Sequence, residues 1–587
     1  MLKTIKELSH YLLPYKYKLL FGIVLLFGAA RAEIENPVIL RYTVDELNSQ
    51  SVSMDKIYLY VAIILGLMLL KGIFLYYSRY ILIGLSRRVE YDMRNRFFRH
   101  LTQLEPAFFD SNKTGDLISR MTSDLEQIRM IFGPGVMYTF NVFFLVILAL
   151  INMTDVDLSL TLLSIIPLLL LVFLIRQIGS KYYEKSRLVQ EELAEMTTFV
   201  NENLQGIRVI KSYVKEGFIQ SSFQKVNVAY VKKNLDLAKL SGIFRPMLYL
   251  IAGFSSVVVL WIGGSRVLDG KMSLGNLVEF LRYIEILSMP LMAMGWVMTI
   301  FQRGNAAYHR MKTVYDRAPR INDLEADPSI SRIKWDVDIR NLSFAYEKSS
   351  FLSLDNISFH IREGEKVAII GPTGSGKTTL VSLLLRLYDP PPGSIVIDGN
   401  PIHRIPLKVL RQGIGHVPQE NFIFPDSIRE NILFGSLYDR SPEHIEEVVR
   451  LAQFEEEVKS FPKAYEEMIG EKGVTLSGGQ KQRLSIARAL SSQPAVLIMD
   501  DSFSNVDSET ERLILANIHR LYREQTVIII AHRASTIQDM DKIIVLDGGR
   551  IREMGKPHEL IASGGYYSIL LENEKLSHTI AGQSGRS

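Results

Sequence analysis

Residues 1–302 carry six separate apolar runs, each as long as a bilayer-crossing helix, and residues 330–587 have the mixed composition of a soluble α/β domain. A spanning helix needs about 20 apolar residues. The runs lie near 18–44, 57–84, 131–152, 159–180, 242–264 and 276–302. Few folds accept that arrangement. It predicts an α-helical membrane domain of six transmembrane helices followed by an α/β domain. The bulk figures of 47% hydrophobic and 22% charged residues average two unlike halves. With no cysteine in the chain, disulfides, thiol chemistry and cysteine metal sites are excluded.

The first run has a competing reading. Basic residues precede Leu19–Ala30, and Ala30-Arg31-Ala32 has the look of a signal-peptide cleavage site. Cleavage would leave an odd number of spans and strand the soluble half outside the cell, so the run is read as a membrane helix. Residues 3–15 before it form a short amphipathic segment, expected to lie on the membrane surface as an elbow helix. The segments 85–130 and 181–240 are long and basic, whereas 45–56, 153–157 and 263–275 are short and poor in Lys and Arg. That asymmetry predicts both termini on the cytoplasmic side of the cell (inner) membrane. It also accounts for the formal charge of +4, so nucleic acid is not an expected partner. The long basic segments are expected to prolong the membrane helices as hairpins beyond the bilayer. The predicted layout is a transmembrane domain over 1–315, a linker over 316–332, a nucleotide-binding domain over 333–575 and a tail over 576–587.

The soluble half identifies its ligand. Residues 371–379, Gly-Pro-Thr-Gly-Ser-Gly-Lys-Thr-Thr, fit the phosphate-binding loop pattern. They follow the apolar run Val367–Ile370 and open a predicted helix. Gly371, Gly374 and Gly376, with Thr373, Ser375 and Thr379 between and after them, let backbone N–H groups wrap phosphates at the positive end of that helix. Lys377 is assigned to the β/γ-phosphates and Thr378 to Mg²⁺. Asp500 ends the apolar strand Val496–Asp500 and is the second expected Mg²⁺ residue. The predicted cofactors are therefore ATP and Mg²⁺.

About a hundred residues after the loop stands Leu476-Ser477-Gly478-Gly479-Gln480, the signature of ABC ATPases. Six spans, two long inner hairpins and a C-terminal nucleotide-binding domain resemble half-size ABC exporters of the type IV fold, over essentially the whole chain. Thr114-Gly115-Asp116-Leu117 and Arg208-Val209-Ile210-Lys211 resemble that family's coupling helices. The resemblance implies further roles: Tyr346 stacks on adenine, Gln419 touches Mg²⁺ or the attacking water, His532 faces the γ-phosphate, and Asp507, in the D-loop Ser504–Asp507, contacts the nucleotide. Gly470–Gly473 resembles a loop that meets the partner's coupling helix. Ser477, Gly478, Gly479 and Gln480 are implied to complete the site of an opposite subunit, so a dimer is required.

Asp501 departs from the family pattern, which places glutamate there. Hydrolysis needs a carboxylate within reach of the attacking water. Aspartate is one methylene shorter, a shortfall of roughly 1–1.5 Å, and about 1 Å of misplacement can cost on the order of 100-fold in rate. On this ground the chain resembles the degenerate-site subunit of a heterodimeric bacterial multidrug exporter. The implied partner is a second half-transporter with glutamate after its own Walker B aspartate; the alternative is a homodimer that tolerates aspartate, slow but active.

The substrate leaves fainter marks. Glu285, Met289, Met292 and Trp296 share one helical face, and thioethers with an indole make an adaptable apolar surface. Glu33 and Glu35 sit in the first span, where ionisable groups usually face a cavity. Hydrophobic, possibly cationic compounds would suit such a lining. The plainer reading is helix packing with local pairing, Glu279 with Arg282 one turn on. The leading expectation is ATP-driven export; a lipid flippase or an ATP-gated regulatory membrane protein are the alternatives.

Overall fold

The structure, a computed structural model, describes residues 7–49, 53–347, 349–436, 439–470, 473 and 476–584. It divides into two compact units. One comprises Met1–Thr102 and Lys113–Arg317, the other Gln103–Asn112 and Ala318–Ser587.

The first unit is built on six long helices: α1 (Lys16–Leu47), α2 (Met54–Leu101), α3 (Val136–Val156), α4 (Leu158–Gln205), α5 (Glu216–Val258) and α6 (Leu274–Tyr315). Helix α1 packs along α2 and also against α3 and α6, while α4 and α5 pair with each other. At 1.5 Å per residue, the 48 residues of α4 extend about 72 Å, more than twice the roughly 30 Å of bilayer hydrocarbon. The short helix Ile207–Ser212 joins α4 to α5. Small residues allow close helix approach: a Cβ at Gly304 of α6 would lie 2.4 Å from the Ile131 side chain.

The structure matches four of the six predicted spans. Among the described residues four helical stretches are long and apolar enough to cross a membrane: Glu7–Leu47, Met54–Leu101, Thr114–Val156 and Leu274–Tyr315. The runs predicted at 159–180 and 242–264 lie in or across the ends of α4 and α5. There the shorter apolar pieces Leu158–Pro167 and Gly253–Leu268 stand out, and several side chains of the two predicted runs lie outside the described residues. The elbow also differs. Of its predicted extent 3–15, residues 3–6 lie outside the described residues, and His10–Tyr15 form a 3₁₀ turn containing Pro14, which lacks the donor an α-helix would use. The span predicted at 131–152 opens with a π-turn, Ile131–Gly135, around Pro134.

The second unit holds two sheets. The four-stranded sheet runs β2 (Leu354–Ile361), β1 (Val337–Phe344), β4 (Ile395–Ile397), β5 (Asn400–Pro401), antiparallel throughout. The larger sheet is ordered β10 (Arg550–Gly555), β9 (Lys542–Asp547), β3 (Lys366–Ile370), β8 (Thr526–Ile530), β7 (Val496–Asp500), β6 (Ile414–Val417). From β9 to β6 it is parallel. Strands β7 and β8 are buried at every residue, as a parallel sheet covered on both faces requires. In such sheets ligands bind at the carboxyl ends of the strands. Here β3, β8 and β7 are neighbours, so Gly371, Ala531-His532 and Asp500-Asp501 emerge side by side.

Candidate active site

Strand β3 delivers the chain into Gly371, whose φ of +147° lies outside the range L side chains favour. A Cβ there would stand 2.0 Å from the Leu546 carbonyl oxygen, so the turn admits only glycine. Gly374 and Gly376 also adopt positive φ, at 82° and 98°. The loop ends at Gly376, and helix α7 (Lys377–Leu384) begins at once. Its first residue closes the loop: the Lys377 ammonium, 6% exposed, donates to the carbonyls of Gly371 and Pro372 at 2.9 Å each.

Thr378 donates to Asp500, the last residue of β7. Burial pushes the Asp500 carboxyl above its ordinary range. The Thr378 hydrogen bond opposes this, Asp501 adds to it, and Lys377 and His532 oppose it. Burial also holds the Lys377 ammonium below the usual lysine range, against the pull of Asp500 and Asp501. A buried cation thus faces two adjacent carboxylates across the loop. The Ser375 hydroxyl is buried with no hydrogen-bond partner in the structure, as a loop residue reserved for a ligand would be. Oxygen donors, not imidazole or thiolate, surround the place. Among the described residues no group of three or more His, Cys, Asp or Glu side chains converges on a point. This donor set fits Mg²⁺, which is held by one or two carboxylate or hydroxyl oxygens plus substrate phosphates.

Asp501 takes a left-handed backbone, φ 46°, and its N–H donates to the Ile530 carbonyl at 3.1 Å. Asp501 and His532 line one cavity of about 270 Å³, with Phe503, Ser504, Glu511, Arg533 and Thr536. Gln419 follows β6 and is exposed. Tyr346 is half-buried in an aromatic cluster, edge-on to Tyr388 with centroids 5.0 Å apart and to Phe344 at 5.2 Å. Its hydroxyl donates to Thr379 at 3.2 Å.

The signature starts helix α8 (Gly478–Leu490) with a capping box. The Ser477 hydroxyl accepts from the Gln480 N–H at 3.3 Å, and the Gln480 side chain accepts from the Ser477 N–H at 2.9 Å. Gly478 and Gly479 pack on Asn505; a Cβ at Gly479 would lie 2.8 Å from its carbonyl oxygen. Asp507, expected at the nucleotide, caps helix α9 (Ser508–Leu521), accepting from the Thr510 N–H at 2.9 Å. That capping bond holds its carboxyl below the ordinary range. Glu471 and Lys472 of the predicted Gly470–Gly473 loop lie outside the described residues.

Sequence reasoning missed the links between these parts. Gln482 of α8 accepts from the Asn505 N–H at 3.0 Å and donates to the Ser504 hydroxyl at 2.9 Å. Glu511 accepts from Arg533 at 2.9 Å and from the Thr536 hydroxyl. The signal for Glu511 was present: it stands on the apolar stripe of α9 with Ile514, Leu515 and Ile518, an acid where helical spacing calls for an apolar residue. Tyr388 was missed too. Its hydroxyl donates to Asp110 of the short helix Pro106–Ser111 at 2.5 Å, and burial raises its pKa, followed by that bond.

The substrate candidates are scattered. Glu33 pairs with Lys71 of α2 at 2.7 Å, and Glu35 with Arg31 one turn back. Glu285 pairs with Arg282. The local pair expected between Glu279 and Arg282 is therefore incorrect. Glu279, 1% exposed, instead meets Arg41 of α1 at 3.1 Å and accepts from the Tyr283 hydroxyl at 2.9 Å. Burial makes the fully sequestered carboxylate take the cross-helix cation rather than the half-exposed one beside it. Trp296 stacks edge-on with Tyr138, centroids 5.0 Å apart. The side chains of Met289 and Met292 lie outside the described residues.

A phosphate loop, a buried lysine, a paired carboxylate and a capped signature helix on one sheet define an ATPase of the P-loop class. The comparisons with known proteins narrow this. The ABC transporter transmembrane region matches residues 19–291 and the ABC transporter family matches 354–504. The chain is 34% identical, over the full length of both, to the probable multidrug resistance ABC transporter ATP-binding/permease protein YheI of Bacillus subtilis. It is 31% identical to the multidrug resistance-like ATP-binding protein MdlA of Escherichia coli, over 98% of this chain and 97% of that one. A solved bacterial Atm1-family ABC exporter with ATP bound shares the fold, with TM-score 0.79 and 24% identity over 94% of this chain and 98% of that one. The chain belongs to the ABC transporter family: a multi-pass membrane protein whose ATPase is coupled to transport.

These findings correct two expectations. The degenerate-site identification and the glutamate-bearing heterodimer partner are not upheld. The chain matches YheI over the full length of both and MdlA over 98% of this chain and 97% of that one, and the residues matched by the ABC transporter family, 354–504, include Asp501. These matches place the chain among full-length ABC transporters that carry an ATPase domain. The physical argument from Asp501 rested on one methylene. Beside Asp501 stand Lys377 and the Thr378–Asp500 contact, and His532 lines the same cavity.

Proposed function

We propose that this chain exports hydrophobic compounds across the cell membrane, driven by ATP hydrolysis between the nucleotide-binding domains of two copies of itself. The observation that carries this is the Lys377–Gly371 closure beside the Thr378–Asp500 pair at the carboxyl edge of the sheet. In this reading the backbone of Gly371–Gly376, with Thr373, Ser375 and Thr379, wraps the phosphates. Lys377 neutralises their charge, and Tyr346 meets the base. Thr378, Asp500 and Gln419 would hold Mg²⁺, which would supply charge neutralisation to the phosphates. Asp501 orients the attacking water, and His532 faces the γ-phosphate from the same cavity. Ser477, Gly478, Gly479 and Gln480 present helix N-terminal amides to the nucleotide of the second copy. Export is the family-level reading that the relatives' names support. The acidic and Met-rich face of α6 (Glu285, Met289, Met292, Trp296) and Glu33 and Glu35 of α1 are the proposed substrate contacts, suited to lipophilic cations.

Reconstitution into vesicles tests it directly. With ATP outside, on the nucleotide-domain face, a lipophilic cationic dye is expected to accumulate inside. Stimulation of the ATPase by lipid headgroups but not by drugs would replace export of drugs with lipid movement. Orientation has a clean test because the chain contains no cysteine. An impermeant thiol reagent applied to whole cells is expected to label Lys271→Cys and to spare Lys215→Cys.

A further inference from the structure

Glu511 has no place in the roles proposed above, yet it is one of the few carboxylates in the ATPase half that is almost fully buried, at 4% exposure. It stands one turn into α9, its N–H bonded to the Asp507 carbonyl at 2.9 Å. Both of its oxygens reach across to the segment that follows β8. One accepts from Arg533 Nη1 at 2.9 Å, the other from the buried Thr536 hydroxyl. Those two residues bracket the turn that starts at His532. The loop that leads into α9 is held to the signature helix by Gln482, at Ser504 and Asn505.

From this arrangement we infer that Glu511 is a positioning residue for hydrolysis. It pins residues 533–536 to α9, and so sets where His532 stands relative to Asp501 across their shared cavity. The inference rests on the reading of His532 given above. Its physical basis is geometric. A carboxylate offers acceptors on both oxygens, so it can hold Arg533 and Thr536 at once. An amide at the same place turns one acceptor into a donor that faces another donor. A carboxylate one methylene shorter keeps the charge and loses reach.

The test compares the full-length protein with Glu511→Gln, Glu511→Asp, His532→Ala and the double variant Glu511→Gln/His532→Ala, all in lipid. Glu511→Gln is expected to lower kcat about tenfold or more, the scale of a sub-ångström to 1 Å displacement. Affinity for a fluorescent ATP analogue should change less than about threefold, as loss of positioning without loss of binding predicts. Glu511→Asp should fall between. In nucleotide-free protein, amide hydrogen exchange over 531–537 should accelerate in Glu511→Gln and stay unchanged in the P-loop. The double variant should be no slower than His532→Ala alone, since one residue acts through the other. Unchanged kcat, unchanged exchange, or losses that add in the double variant would each overturn the inference. Wild-type turnover in His532→Ala would instead overturn the role given to the histidine. If Glu511→Gln does not fold, Thr536→Val removes one of the two bonds alone and must show the same exchange and kcat pattern at smaller size.

Discussion

The two halves of this chain use buried charge differently. In the ATPase half, Lys377 and Glu511 are buried, and their partners lie close along the chain: the Gly371 and Pro372 carbonyls 6 and 5 residues from Lys377, and Arg533 and Thr536 at 22 and 25 residues from Glu511. In the membrane half, Glu279 is buried as deeply, but its cation comes from Arg41, 238 residues away, on another helix. The hydroxyl of Tyr283, bonded to Glu279, also accepts from Asn152 of α3 at 3.0 Å. One arrangement presents charge to a ligand; the other consumes charge in joining three helices. Substitutions should therefore separate cleanly into those that stop chemistry and those that loosen structure.

The sharpest way to break that contrast is Lys377→Ala. It should lower ATP turnover by about 100- to 1000-fold and weaken nucleotide binding as well, with the melting temperature of the nucleotide-free protein nearly unchanged. A large drop in that melting temperature would mean the lysine is structural. Asp501→Asn comes next. Loss of a general base costs about 100-fold or more in turnover, and fluorescent ATP binding should survive because Lys377, Thr378 and Asp500 are intact. Wild-type turnover in this variant would remove Asp501 from the water-activating role.

Glu279→Gln probes the other half. Breaking a buried ion pair from one side costs about 3 kcal/mol or more. The thermal transition of the purified protein should fall while ATP affinity holds. An unchanged transition with altered nucleotide affinity would invert the comparison. The smallest stability effect belongs to Glu285→Gln. Its pair with Arg282 is a local, open one, 69% and 45% exposed, worth at most about 0.5 kcal/mol. Its functional effect should be selective, weakening ATPase stimulation by cationic compounds more than by neutral ones. Equal responses to the two would take Glu285 out of substrate recognition.

Sequence alone determined the class of each half and pointed to the nucleotide site proposed here. Phosphate binding demands glycines at set positions, a lysine and a hydroxyl in one short run, so Gly371–Thr379 is legible without a fold. Apolar length is equally direct, because bilayer thickness sets it. What sequence could not supply is any partnership formed across the chain. Asp507, expected at the nucleotide, also caps α9, a bond that sequence did not give. Glu279 was matched to the arginine one turn away and belongs to Arg41. Glu511 went unassigned although its place on the apolar stripe of α9 marked it. Asp501 was weighed as a side chain one methylene short, in isolation from the cavity and loops that surround it. Local motifs encode chemistry because a ligand reads a few adjacent residues. Which buried charge meets which is decided only when helices and strands pack, since desolvation favours the partner that arrives in the same buried layer over the nearer one left in the open.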